Sequence, residues 1–298
     1  MTLVGVVSKD LLGRMRTWRP ALVIGLHLGI LAAIALGQIY ATQVSASGAY
    51  GGAQGPAQGP ELFNTLASFE LLLIAFLTPA LTAAAISGER ERRTFELLLL
   101  TRLSGIGIVA GKLVSTVGFL VVVIFGSLPV FSLVFLFGGV APQTLLRIYL
   151  LYATAATALA TGGICASALS KRTQTSIALS YAFAFLLVFG TTIAATVLNA
   201  PTRPLTGGPP EVPTLAWIAS AANPLDALLS VLPNPGGPGV APYVAMLPIP
   251  GFLTGVEQPP LAGIWHAPLW RLNVEIEGVL ALVFVLLAAC AVRPPRLR

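Results

Sequence analysis

Residues 113–137 read LVSTVGFLVVVIFGSLPVFSLVFLF, with no charged side chain anywhere in the run. A helix needs about 20 mostly apolar residues to cross about 30 Å of hydrocarbon, and this run exceeds that. Working outward, five more stretches satisfy the same condition: residues 20–40, 63–86, 145–168, 176–198 and 274–292. The reading is an all-α membrane protein with six transmembrane helices and one membrane domain over residues 1–298.

Composition agrees. Of the 298 residues 56% are hydrophobic and 9% charged, with a mean hydropathy of +0.86. Soluble domains carry about 25% charged residues, so a soluble fold this apolar has too few polar groups to cover its surface. The chain carries 17 Lys and Arg and a net charge of +6. All but Arg147, Arg203 and Arg271 fall on one side of the predicted topology: before the first span, between spans two and three, between four and five, and after the sixth. That asymmetry is the positive-inside signature and puts both termini in the cytoplasm. The basic residues flank apolar runs and are not interleaved with aromatics, so nucleic-acid binding is not expected. Cys165 and Cys290 both sit inside apolar runs, which gives neither a disulfide framework nor a metal spacing.

The first span follows a basic lead (Lys9, Arg14, Arg16, Arg19) and precedes small residues. It is longer than the roughly 7–15 residues of a signal peptide's apolar region and reads as an uncleaved span. Within residues 1–19, Leu3, Val6, Val7, Leu11, Leu12 and Met15 form an apolar stripe at helical spacing, with Lys9, Asp10, Arg14 and Arg16 between. This pattern predicts a helix lying in the membrane interface. Residues 41–60, rich in Gly, Ala and Gln, read as a flexible external linker. Residues 199–272 are a Pro- and Gly-dense extracytoplasmic loop. Within it, residues 214–232 predict one or two short helices on the membrane face, with Trp217, Trp265 and Trp270 as headgroup anchors.

Between spans two and three the sequence runs ISGERERRTFELLLLTRLS, residues 86–104. Glu89 and Arg93 stand at the favourable i,i+4 spacing, and the leucines supply an apolar face. The physics alone leaves two readings of residues 87–104 open: a solvated charge run, or a short amphipathic helix offering ion pairs and a Phe95 anchor to a cytoplasmic partner.

That stretch, together with Gly111-Lys112 opening the next span, resembles the signature of ABC-2-type transporter permeases. The motif covers about 25 residues, and the six-span layout agrees along most of the chain. Arg93 departs from the pattern, which more often has Gly or Lys there, and the last external segment is long and Pro-rich. The resemblance implies an N-terminal elbow helix over 1–19 and a coupling helix over 87–104 that docks on an ATPase subunit. It also implies a second permease chain, identical or not, and residence in a prokaryotic inner membrane. Carried onto matching positions, the coupling residues are Glu89, Arg90, Glu91, Arg92, Thr94, Phe95 and Glu96. Export by a permease is the implied activity; a membrane scaffold or assembly factor of the same ancestry is the alternative.

No G-x-x-x-x-G-K-[ST] phosphate-binding loop occurs in the sequence. Gly107–Lys112 has the wrong glycine spacing and no hydroxyl residue after the lysine. ATP and magnesium are therefore expected in the partner ATPase, with no cofactor on this chain. Small residues favour close helix pairing in lipid. Gly25, Gly29, Ala33 and Gly37 make such a ridge on the first span, and Ser176, Ser180 and Ala184 make one on the fifth. The resemblance places both near the permease–permease interface; packing within one chain is the competing account. Intramembrane ionisable groups are costly and mark function or helix contacts: His27 and Glu70 are the candidates, while Glu275 and Glu277 are expected at the outer interface. Nothing forms a two-carboxylate, metal or nucleophile–base constellation of an enzyme.

Overall fold

The computed structural model describes residues 18–47, 58–93, 105–138, 140–199, 214–233 and 268–292. Residues 1–17 of the predicted interfacial helix, 48–57 of the predicted linker and most of the coupling segment, from Thr94 to Ser104, lie outside the described residues, as does Trp265; residues 41–47 and 58–60, expected in the flexible linker, are instead helical, as continuations of the first and second spans. Among the described residues six helical stretches are long and apolar enough to cross a membrane: Pro20–Val44, Gly59–Glu91, Gly105–Phe137, Pro142–Leu169, Thr173–Ala195 and Leu269–Ala291. No strand occurs among them.

The helices, in chain order, are α1 (Trp18–Ser47), α2 (Gln58–Thr82), α3 (Ser87–Glu91), α4 (Gly105–Gly126) and α5 (Leu128–Phe137). They continue with α6 (Pro142–Leu169), α7 (Thr173–Phe185), a π-turn (Leu186–Gly190), α8 (Thr191–Asn199), α9 (Thr214–Ala221), α10 (Pro224–Leu229) and α11 (Leu269–Ala291). Breaks inside spans have local causes. The third span steps from α4 to α5 at Ser127, just ahead of Pro129, whose ring cannot follow a regular helix and which has no N–H to give. The second span loosens after Pro79 into the turn at 83–86, then resumes as α3. The fourth span ends at Ser170 in extended geometry.

α6 is the axis of the bundle, buried along most of its length and packed by α2, α4, α7 and α11. Its small residues permit this: Ala155, Ala156, Ala158 and Ala160 are buried, and close backbone approach is what lipid-embedded helices gain from small side chains. Gly163 lies against the Thr82 side chain and Gly162 against the Phe183 ring, so that a Cβ at either position would overlap its neighbour. At the end of the bundle where α6 begins the core is aromatic. Phe63, Phe131, Tyr149 and Tyr152 form a chain of edge-on contacts at 5.8–5.9 Å, an arrangement worth about 0.5–1.5 kcal/mol per pair beyond burial. Arg147 at the start of α6 sits 5.6 Å over the Trp270 ring at the start of α11, which fits an interfacial anchor at this end.

The segment 214–232 departs from expectation. It folds into the two short helices α9 and α10; α9 keeps one face exposed, at Leu215 and Ile218, while α10 is embedded in the bundle. Every residue of α10 is buried, with Leu225, Leu228 and Leu229 in the same core cluster as Phe63 and Tyr152. Trp217 is buried against Leu269 and Leu272 and is no headgroup anchor. The cause lies in Asn223. Its carbonyl oxygen caps α10 by accepting from the N–H of Leu225, while its amide donates to the Val188 carbonyl, 2.9 Å away in the π-turn. A π-turn disturbs the regular i→i−4 ladder, and here one of its carbonyls takes a donor from another segment.

Candidate functional site: the charged corner after the second span

At the basic end of the bundle, α3 is held from three directions. Ser167 on α6 lends its hydroxyl oxygen to the N–H groups of Ile86 and Ser87, at 3.0 and 2.9 Å. A helix leaves its first N–H groups without internal partners, so a side chain of the central helix caps this one. The Ser176 hydroxyl of α7 donates to the Ala83 carbonyl at 2.6 Å, fixing the turn just before.

The charged residues then fasten outward. Glu89 accepts from the Lys112 ammonium at 2.6 Å. Lys112 is only 6% exposed, and a buried cation needs such a counter-charge. Arg90 donates to the Ser170 carbonyl at 3.0 Å. Both oxygens of Glu91 accept from Thr173, one from its N–H at 2.7 Å and one from its hydroxyl at 2.8 Å. Thus three consecutive charged residues grip the start of the third span and the turn that joins the fourth to the fifth.

Helix α3 stops at Glu91, and Arg93 takes a left-handed conformation with φ of 57°. A non-glycine residue there bends the chain sharply. The predicted run of helix from 87 to 104 is therefore interrupted at Arg92–Arg93. Both arginines are exposed, as are Lys171 and Arg172 in the neighbouring turn, so this face is strongly basic. Of the seven coupling candidates, Glu89, Arg90 and Glu91 engage this chain, Arg92 is exposed, and Thr94, Phe95 and Glu96 lie outside the described residues. Ser167, Ser170 and Thr173 carry no sequence signal of this role, and Ser176 entered only as part of a small-residue ridge. The available signal was Lys112, a lone cation at the mouth of a span and in need of a carboxylate.

The two intramembrane candidates come together. His27 Nε2 on α1 lies 2.9 Å from Glu70 Oε2 on α2, and both residues are buried, at 5% and 0% exposure. The two carboxylates of α11 part company. Glu275 is exposed, whereas Glu277, expected at the outer interface, is 1% exposed. Positions two apart on a helix point to nearly opposite sides, so both cannot share one environment.

The two small-residue stripes also differ. Ser176, Ser180 and Ala184 are buried within the chain, against α2 and α6, so the fifth-span stripe is an internal contact. Gly25, Gly29, Ala33 and Gly37 are all exposed, and a Cβ at Gly25, Gly29 or Gly37 would meet no atom of the described residues within 4 Å. The buried face of α1 is the opposite one, His27, Leu31 and Ala35. Among the described residues no three His, Cys, Asp or Glu side chains gather as a metal site would require. Cys165 and Cys290 form no disulfide among the described residues, the first buried and the second exposed.

The profile of a family described as ABC-2 family transporter protein matches residues 5–233, more than half of the chain. No curated protein matches the chain.

Proposed function

The chain belongs to the ABC-2 transporter family as a membrane permease component, and from that premise we propose that it exports an apolar or amphipathic substrate under the drive of an ATPase on a separate polypeptide. ATP and Mg²⁺ are handled by that partner, since the sequence offers no phosphate-binding loop. The bundle lies in a prokaryotic cell membrane with both termini cytoplasmic, a reading supported by the distribution of Lys and Arg.

The observation that carries the proposal is the grip of α3 on its neighbours. Coupling needs a segment that meets the ATPase and a rigid connection from that segment to the helices that move. Residues from Arg92 onward, with Phe95 as anchor, are assigned the first task. Glu89, Arg90 and Glu91 are assigned the second, because their partners are Lys112, Ser170 and Thr173 of the same chain. A displacement of α3 is thereby delivered to the third span and to the joint between the fourth and fifth.

A second permease chain, identical or related, completes the transporter. The unoccupied Gly25–Gly29–Gly37 face of α1 supports that contact, and close helix approach in lipid uses this residue pattern.

Co-purification with the cognate ATPase tests the division of labour. Phe95→Ala is expected to release the ATPase. Glu91→Gln is expected to retain it while lowering substrate flux per ATP hydrolysed. Full flux and an intact complex in both variants would remove the assignment.

A further inference from the structure

The membrane half of the molecule holds a second polar site, on α11 beyond residue 233. Glu277 lies roughly 12 Å along the helix from Leu269 at 1.5 Å per residue, and both of its carboxylate oxygens lack a hydrogen-bond partner among the described residues. One turn earlier on the same face is Asn273, 0% exposed. Its amide nitrogen donates to the Ala221 carbonyl at 3.0 Å. A carbonyl can be met only by the NH₂ end, so this bond settles which way the amide points. The Asn273 Oδ1 atom is thereby left as an acceptor, also unpartnered. Thr154 of α6 stands within reach of Glu277. Its own proton is donated to the carbonyls of Leu150 and Leu151, which leaves lone pairs facing outward.

We propose that Glu277, Asn273 and Thr154 form a binding site for one small monovalent cation, a proton or an alkali-metal ion, between α6 and α11. The site presents four oxygens as acceptors against one remaining amide hydrogen of Asn273, so acceptors outnumber donors and no positive charge balances the carboxylate. A carboxylate cut off from water is costly unless a positive charge joins it. Water would bring hydrogen bonds but no charge.

Among the described residues no side chain supplies that charge. Helices α4, α6, α9 and α10 pack against α11. Arg147 on α6 sits over Trp270, and Lys112 on α4 is paired with Glu89 at the opposite end. Tyr149 and Tyr152 on α6 bond to Ser127 and the Ala67 carbonyl. Asp226 on α10 is itself acidic, Cys165 on α6 packs with Ile86 and Ile164, and Arg271, Glu275 and Cys290 on α11 are exposed. The cation therefore comes from solution, and its uptake and release can accompany relative movement of α6 and α11, which supply the ligands between them.

The test uses the full-length chain in lipid nanodiscs, carrying Asp226→Asn so that a second buried carboxyl does not titrate. Thermal unfolding is followed in sodium, potassium and choline chloride at equal ionic strength, at acid and alkaline pH. An alkali-metal site raises the midpoint in sodium or potassium over choline at alkaline pH. A proton site raises it on acidification whatever the salt, with a protonated-carboxyl infrared band. Either response is expected to vanish in Glu277→Gln, whose amide hydrogens satisfy Asn273 Oδ1 without any ion, and to weaken in Thr154→Val, which keeps the charge. Equal salt and pH responses in the parent and both variants would overturn the proposal.

Discussion

His27 and Glu70 meet at 2.9 Å inside the membrane domain, joining α1 to α2 across a separation of 43 residues. The bond matters because α1 is otherwise the most loosely held span, with a small buried fraction. The second carboxylate oxygen of Glu70 has no partner among the described residues, so the pair is the group's main compensation for burial. Removing one member of a buried pair strands the other, at a cost of about 3 kcal/mol. His27→Ala is therefore expected to lower unfolding stability by that order, read from denaturant titration in detergent. The double replacement His27→Leu with Glu70→Leu is expected to recover most of the loss. A double variant as unstable as the single one would show that the residues act separately.

The corner at α3 predicts uncoupling without dissociation. Thr173→Val removes the hydroxyl donor to Glu91 while leaving the backbone N–H in place, so the grip is weakened by one charge-assisted hydrogen bond. Glu91 is exposed, so solvent screens the bond and the change shows in coupling more than in stability. The expected outcome is unchanged membrane expression and ATPase binding, with a several-fold drop in transported substrate per ATP. Flux assays in proteoliposomes, run beside ATPase assays on the same preparation, give the ratio.

The six spans were legible because hydrocarbon thickness sets a length and a composition that few other folds satisfy. What tied them together was less so. Ser167, Ser170, Thr173 and Ser176 are ordinary polar residues in sequence, and only the crossing of α2 and α3 by α6 and α7 gives them partners. Residues 214–232 misled for a physical reason: a segment rich in Ala and Leu with one proline looks alike whether it rests on a membrane or enters the bundle. Its depth is set by Asn223 reaching the π-turn at Val188, a contact spanning 35 residues. The two carboxylates of α11 differ through helical phase, which the sequence contains, but which face is buried depends on where α6 packs.

Asp226 predicts a pH dependence. It lies on α10, between the fifth and sixth spans, and burial pushes its carboxyl up to about 7, against an ordinary value of 3.8. The Ser220 hydroxyl pulls in the opposite direction but forms no well-aligned hydrogen bond with it. A raised carboxyl pKa means the folded chain holds this proton more tightly than the unfolded one. Its contribution is fully present below about pH 4, declines as pH rises, and is gone above about pH 7, a total of about 4 kcal/mol as a ceiling. Denaturation of the parent across that window should show the decline. Asp226→Asn should flatten this part of the profile, and an unchanged slope would exclude Asp226 as its source.

A glycine at the centre of the bundle and one on its surface predict opposite behaviour. At Gly163 an added Cβ would overlap the Thr82 side chain and lie 3.6 Å from the Ser180 hydroxyl. Thr82 is itself anchored, donating to the Thr78 carbonyl at 2.9 Å, so it has little room to yield. Gly163→Ala is expected to destabilise the single chain by about 1–3 kcal/mol, the range for overfilling a packed core. At Gly29 nothing among the described residues lies within 4 Å, and a larger side chain there projects from the face opposite His27 and Leu31. Gly29→Leu is expected to leave single-chain stability within about 0.5 kcal/mol. If α1 is where a second permease chain docks, the same change holds the two helices apart, and contacts between small residues are lost together. Cross-linking and single-molecule photobleaching in nanodiscs then show fewer paired chains for Gly29→Leu and normal pairing for Gly163→Ala. Pairing that is indifferent to Gly29→Leu and Gly25→Leu together would place the permease–permease contact on another face.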